Sequence, residues 1–331
     1  MITKVLTAVV RRTMGLTPET FYAIVADRIG PQPDEDEIWA AIKPVPATLL
    51  DGFYAAMETP DHRRLLPRLD EIAPDLRGLA YEGAGMGLAV LDVVLPYKRR
   101  LPEFLAGPGA PYRMLIHIGI GVALPRLPRN PVRYLDDVDP FLRWMVLDGY
   151  GFHDGFFAME RTLDRQLIPA GFTGYARRAF DQGVGRSMWF TTAADVERVL
   201  AAVDAFPIAR QGDLWSGIGV ACAYAKDVTT REMVEALAAG AGPHASHFAC
   251  GIALAAVLRQ QSGLPAPHTD LACDVVWARS ANEVAAEIAL PTSTELPELP
   301  DQPAYEVWRT RIRQRWHSLA DAEQLGREVR S

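Results

Sequence analysis

Cysteine is scarce. Cys222, Cys250 and Cys273 are the only three, an odd number without a CxxC pair, which excludes a disulfide framework and suits buried thiols in a reducing compartment. A basic excess is also missing, since 34 Lys and Arg against 41 Asp and Glu leave a formal charge of −7. Nucleic-acid surfaces need clustered cations to displace counterions, so no such partner is expected. Long apolar runs are lacking too. The most apolar stretch, Phe248 to Leu258, is about half of what crosses a bilayer and reads as a buried core helix. Met1 to Arg12 is interrupted by Lys4 and Arg11 and reads as an amphipathic helix rather than a signal peptide. No membrane partner is expected, and the expected location is the cytoplasm.

Catalytic signatures are equally sparse. His244, His247, Cys250, His268, Asp270 and Cys273 are the ligand-type cluster of the sequence, but no HExxH, no HxE with PCxxC and no paired CxxC occurs, so no metal is expected. Serine hydrolysis lacks its GxSxG, which Trp215-Ser216-Gly217 fails on the tryptophan side. No GxxxxGK[ST] is present, and Tyr81-Glu-Gly-Ala-Gly-Met-Gly87 spaces its glycines as GxGxG without a β-branched strand before it. No cofactor is expected. Strand signals are weak, and Met114 to Ile120 is placed in a helix by its glycines.

What the chain does have is a recurring Gly-x-Gly. Pairs stand at Gly83/Gly85, Gly119/Gly121, Gly149/Gly151, Gly183/Gly185 and Gly217/Gly219, and a degenerate copy has Gly251 followed by Ala253. The first glycines are 36, 30, 34, 34 and 34 residues apart. A period of 34 is that of a tetratricopeptide-type helical hairpin, so the expected fold is all-α: stacked hairpins forming an α-solenoid or similar repeat array. Hairpins are expected at 174–206, 210–242 and 244–290, their second helices opened by Thr192-x-x-Asp195 and Thr229-x-x-Glu232, with Ser280-x-x-Glu283 opening a further short helix. Two glycines in one helix cost roughly 1–2 kcal/mol against alanine. Close approach of neighbouring backbones would offset that cost. The chain divides into an N-terminal helical segment (1–70), the repeat body (71–290), a Pro-rich linker (291–303) and an amphipathic helix (304–331) whose Trp308, Ile312, Trp316 and Leu319 would dock on the body.

Polar side chains recur beside these glycines: Glu82, Asp148, Asp181 with Gln182, Ser216, and the pair His153-Asp154. Buried charge must either pair or line a cavity, and both readings stay open, the first with Arg143, Arg177, Arg178 or Arg186 as partners. Adjacent helical residues point about 100° apart, so Asp154 is not assumed to orient His153, and a more distant carboxylate such as Asp181 or Asp148 could do so. His117 lies in an apolar run and reads as a core histidine or a ligand contact. The aromatics around these positions are core by default, but a concave array would give some of them to an elongated apolar groove. The expected cavity is walled by Trp189, Trp215, Phe152 and Tyr150, with Asp148 and His117 also at the ligand. His153, Asp181 and Glu82 are the catalytic candidates.

Longer motifs carry a family resemblance. Tyr81-Glu-Gly-Ala-Gly-Met-Gly-Leu-Ala, Leu147-Asp-Gly-Tyr-Gly-Phe-His-Asp-Gly-Phe-Phe157, Tyr175-Ala-Arg-Arg-Ala-Phe-Asp-Gln-Gly-Val-Gly-Arg-Ser-Met-Trp-Phe190 and Asp213-Leu-Trp-Ser-Gly-Ile-Gly-Val-Ala-Cys-Ala-Tyr224 resemble a bacterial domain of unknown function found in enediyne polyketide biosynthesis clusters. His268-Thr-Asp-Leu-Ala-Cys273 and Tyr305-Glu-Val-Trp-Arg309 add to the match, which covers about 75–315 and fades over the first 70 residues. The resemblance implies an accessory role beside a polyketide synthase, binding and in its stronger form processing an apolar polyene-derived intermediate. The alternative is a non-catalytic helical-repeat scaffold that gathers biosynthetic enzymes.

Overall fold

The computed structural model describes residues 16–30, 32, 35–225, 229–290, 296, 297, 299 and 302–328, and of 35, 38, 41 and 320–328 the backbone alone. The first helix read at Met1 to Arg12 and most of the 291–303 linker lie outside these residues. Proline in the first turn and an accepting side chain before it begin α1 (Pro18–Ile29), whose Thr17 cap accepts from the Thr20 amide. There follow α2 (Glu35–Ile42), α3 (Pro44–Glu58), α4 (His62–Asp70), α5 (Pro74–Val94), α6 (Arg100–Ala106), α7 (Arg113–Ala123), α8 (Pro131–Tyr134) and α9 (Arg143–Phe157). After a π-helical turn at Glu160–Asp164 come α10 (Tyr175–Thr191), α11 (Val196–Asp204), α12 (Ile208–Tyr224), α13 (Arg231–Gly240) and α14 (Ala245–Ser262), then α15 (Pro267–Trp277), α16 (Ala281–Glu287) and α17 (Ala304–Glu328). The protein is all-helical among the described residues, apart from an isolated bridge between Leu299 and Gln302.

Seven long helices, α3, α5, α7, α9, α10, α12 and α14, pack against one another in that order. Contacts advance in the same sense along each pair, as Gly183 meeting the Asp148 carbonyl and Gly155 meeting Ser187 show, so the seven run parallel. The shorter helices return the chain between them. The Gly-x-Gly motif explains the row. Its first glycine faces a backbone carbonyl of the preceding helix and its second faces the following helix: a Cβ at Gly217 would lie 1.9 Å from the Gln182 oxygen, and one at Gly185 would lie 2.0 Å from the Leu214 oxygen. Such approach leaves room only for Cα–H, which itself makes a weak favourable contact with the carbonyl.

The ends of the row carry half motifs. In α14, Gly251 faces the Ser216 carbonyl while Ala253, with no further row helix to meet, keeps its methyl. In α3, Gly52 faces Ala80 and Leu50 stands where a first glycine would be. Thus α3, assigned from sequence to a separate N-terminal segment, is the first member of the row, and one hydrophobic core runs from Leu16 to Ile312. The row also bends back on itself. Arg259 near the end of α14 donates to the carbonyls of Asp75 (2.8 Å) and Tyr224 (2.9 Å), and the Tyr224 side chain packs against Gly78 of α5.

The start signals hold with small displacements. Asp195 itself caps α11, Thr230 rather than Thr229 caps α13, and Ser280 with Glu283 forms a reciprocal capping box. Helix α17 lies against α14 with Trp308 and Ile312 buried, and Trp308 Nε1 donates to the Ile288 carbonyl at 3.0 Å. No single helix among the described residues is long and apolar enough to cross a membrane; α13 with the segment through α14 passes that test only as a pair bent by 105°.

Candidate functional site

Relative to the first glycine of each motif, residues four before, one before, three after and seven after fall on one face of the row helices. Leu79 and Glu82, Leu115 and Ile118, Phe152, Arg186 and Phe190, Val220 and Tyr224, and Leu258 occupy these positions, and all of them line one cavity of about 50 Å³. Val45 and Leu49 of α3 complete it, so every helix of the row contributes. A second cavity of about 40 Å³ adjoins it under α1 and α2, walled by Phe21, Tyr22, Val25, Trp39 and Phe156. A third, of about 10 Å³, reaches His153 and Arg126. Leu49 and Phe152 line all three, so the cavities adjoin at these two side chains as a branched set of apolar spaces.

Polar atoms in this space are few. Glu82 is buried and makes neither a hydrogen bond nor an ion pair among the described residues; burial pushes its carboxyl up to about 7, with Arg186 opposing and Asp148 adding to the rise. Arg186 pairs with Asp148 at 2.8 Å, stacks on Phe152 with its guanidinium carbon 4.8 Å from the ring centre, and leaves Nε without a partner. The Tyr224 hydroxyl is likewise buried without a partner, and burial raises its pKa, Arg259 opposing and Glu82 adding. A carboxyl that exchanges its proton near neutral pH therefore sits beside an unpartnered phenol and a guanidinium edge, inside apolar walls. That arrangement can give or take a proton there.

The other residues singled out from sequence are placed differently. His153 borders the third cavity, but Arg126 Nε donates to its Nε2 at 2.9 Å, so Nδ1 carries the proton and donates to Asp154 at 3.1 Å. Its neighbour Asp154, not Asp181 or Asp148, orients it, and neither ring nitrogen is left for a ligand; burial lowers its basicity against the Asp154 hydrogen bond. Asp181 is clamped by Arg210 through contacts of 2.9 and 2.5 Å and lines none of these cavities. Asp148 accepts from Gln182 at 2.8 Å besides pairing with Arg186, and stays behind the wall. Phe152 is a wall residue, whereas Trp189, Trp215 and Tyr150 line none of the three cavities. Trp189 follows Gly185, and Trp215 precedes Gly219, by one helical turn, so both face neighbouring helices rather than the inner space; Tyr150 packs on Phe172 and Phe180. His117 lines a separate polar cleft.

A family model for a protein of unknown function, DUF1702, matches residues 6–316. The chain belongs to the DUF1702 family. No curated protein and no solved structure matches it. In this DUF1702 chain the inner positions missed by the sequence reading, Leu79, Leu115 and Leu258 among them, carry a signal all the same: their constant offset from the glycines. The histidine and cysteine cluster does not converge, since His268 contacts Arg259 and the Tyr224 carbonyl while Cys250 faces the Arg309 carbonyl, and burial pushes all three thiols up. Among the described residues no group of three His, Cys, Asp or Glu is arranged to hold a metal ion.

Proposed function

We propose that this DUF1702 protein binds an elongated apolar small molecule in the branched space inside the row and that Glu82 exchanges a proton with it. The observation that carries this reading is an apolar interior reached by all seven row helices and holding an unpaired carboxyl, Glu82, that titrates up to about 7. An acid poised near neutral pH is the form in which a carboxyl serves as both donor and acceptor. Arg186 and Tyr224 flank it as the groups that orient a polar end of the ligand. The resemblance to enediyne-cluster proteins makes a conjugated polyene-derived intermediate the substrate class, with the synthase or its partner enzymes as neighbours. We further read the 34-residue row as a tetratricopeptide-like repeat array. A peptide-gathering scaffold needs an open concave face; here α17 and α1–α2 occupy that face, which favours the small-molecule reading.

Trp39 lines the second cavity and is the natural reporter. Titration with a soluble conjugated polyene should quench it saturably, the response should vanish in Trp39→Phe, and Leu49→Phe, which fills the point where the cavities meet, should weaken binding at least tenfold. An unchanged titration in Leu49→Phe would refute the site. In the producing strain, Glu82→Gln should fail to complement a deletion although the protein folds; full complementation by both variants, with failure of outward-facing ones, would hand the function to the scaffold.

A further inference from the structure

Away from the apolar space, α6, α7, α8 and the segments around them wall a cleft of about 760 Å³ that shares no residue with the three cavities. Five cations line it: Lys98, Arg99, Arg113, Arg129 and Arg133. None of them is in an ion pair within 4.0 Å among the described residues. Three carboxylates also line the cleft, but two are already engaged. Asp92 binds Arg100 and the amides of Arg100 and Leu101, and Asp139 accepts from the amides of Phe141 and Leu142. With Asp137 and Asp139 still anionic, five cations against three carboxylates leave the cleft a net positive charge in a chain whose overall charge is −7.

A second, independent observation lies in its floor. His117 is 2% exposed, its Nδ1 donates to the Arg113 carbonyl at 2.6 Å, and its Nε2 is buried with no hydrogen-bond partner. With the proton on Nδ1, the orphaned Nε2 is an acceptor, and a buried acceptor left unmade is costly. A hydroxyl or a hydrogen-phosphate P–OH would satisfy it, and guanidinium groups match phosphate oxygens in geometry as well as charge.

We propose that this cleft binds the phosphate group of a phosphorylated small molecule, its oxygens held by Arg113, Arg129 and Arg133 and its acidic proton or a neighbouring hydroxyl by His117. The concave shape and the buried floor favour a small molecule over the flat acidic face of a partner protein. The test is calorimetric titration of the full chain with inorganic pyrophosphate at low salt. Saturable binding at one site is expected. The exposed pair Arg129→Ala/Arg133→Ala should weaken it at least tenfold, while Glu82→Gln, in the apolar space, should leave it unchanged, so the two sites stand or fall separately. Absence of saturable binding up to millimolar pyrophosphate, or equal binding by the double variant, would overturn the proposal. So would tight binding of polyglutamate with none of pyrophosphate, which would assign the cleft to an acidic protein surface.

Discussion

A single methyl group separates a tolerated from a forbidden residue along this row. In isolation Gly217→Ala should help a helix by roughly 0.5–1 kcal/mol, yet its Cβ would lie 1.9 Å from the Gln182 oxygen, a backbone atom that moves only if α10 and α12 part. Net destabilisation on the order of 1–3 kcal/mol is expected, whereas Gly171→Ala, whose Cβ would meet nothing closer than Val132 Cγ2 at 3.8 Å, should stay within about 0.5 kcal/mol. Denaturant midpoints of the two variants decide the matter, and a neutral Gly217→Ala would end the close-packing account. Glu82 supplies the pH-dependent counterpart. Its folded carboxyl titrates near 7 against 4.5 ordinarily, so between these values the native state holds a proton that the unfolded state has released. Stability is then fully present below about 4.5, falls as pH rises, and levels off above about 7, a loss on the order of 3 kcal/mol. Glu82→Gln should abolish that slope, so the difference between variant and parent should itself change with pH across this window; parallel stability curves would show that the carboxyl is not held as described. The glycines were legible from spacing alone. The hydrogen bond from His153 to Asp154 was not, because the angular separation of adjacent side chains says nothing about how χ angles bring Nδ1 and a carboxylate oxygen together.

At the level of elements, ion pairing ties the last helix to the row. Arg309, fully buried on α17, contacts Asp213 at 3.2 Å, the Tyr175 hydroxyl at 2.8 Å and Glu306 at 3.4 Å. Glu306 also binds Arg313 at 2.7 Å and Arg178 at 3.0 Å; burial alone would raise its carboxyl, but the three guanidiniums outweigh it and hold it at about 2. Removing Arg309 takes away the fully buried cation and leaves Asp213 to Arg178, and Glu306 to Arg178 and Arg313, guanidiniums nearer the surface. Arg309→Met should therefore cost about 3 kcal/mol, the lower end for breaking a buried pair, seen first as loss of hydrogen-exchange protection over 304–319 while α10 and α12 stay protected. Restoring part of that protection with Glu306→Gln in the same chain would confirm the electrostatic cause, and retention of protection in Arg309→Met alone would refute it. The stripe of Trp308 and Ile312 made the docking of α17 legible. Its partners were hidden, because nothing in a local pattern reports that Asp213, four residues before Gly217, shares a face with a helix about ninety residues later.

On the scale of the whole molecule, a constant period says that helices stack but not how far the stack turns. Here the turn is enough to bring Tyr224 and Arg259 from the end of the row onto α5 near its beginning, and it is this curl that closes the apolar space. The cavities it leaves, about 50, 40 and 10 Å³, fall far short of the roughly 300–1,000 Å³ of ordinary small-molecule sites. An elongated ligand must therefore push a wall aside. The row helices are held by backbone contacts at every glycine and cannot part cheaply. Helix α1 buries only Phe21 and Val25, and its pair from Arg28 to Asp164 is solvent-exposed and worth little. Phe21 packs on Phe156 and Phe157 at ring separations of 5.0 and 5.1 Å, contacts that an apolar ligand in the second cavity can replace in kind. Ligand entry should thus displace α1 and α2 and leave the row unmoved. Hydrogen exchange in saturating conjugated polyene should change over residues 18–42 and not over α10, α12 or α14, and Phe21→Ala, by loosening that wall, should speed association more than it changes the dissociation rate. A protection change centred on α12 and α14 instead would mean that the row itself opens, and that the glycine contacts yield more readily than their geometry implies.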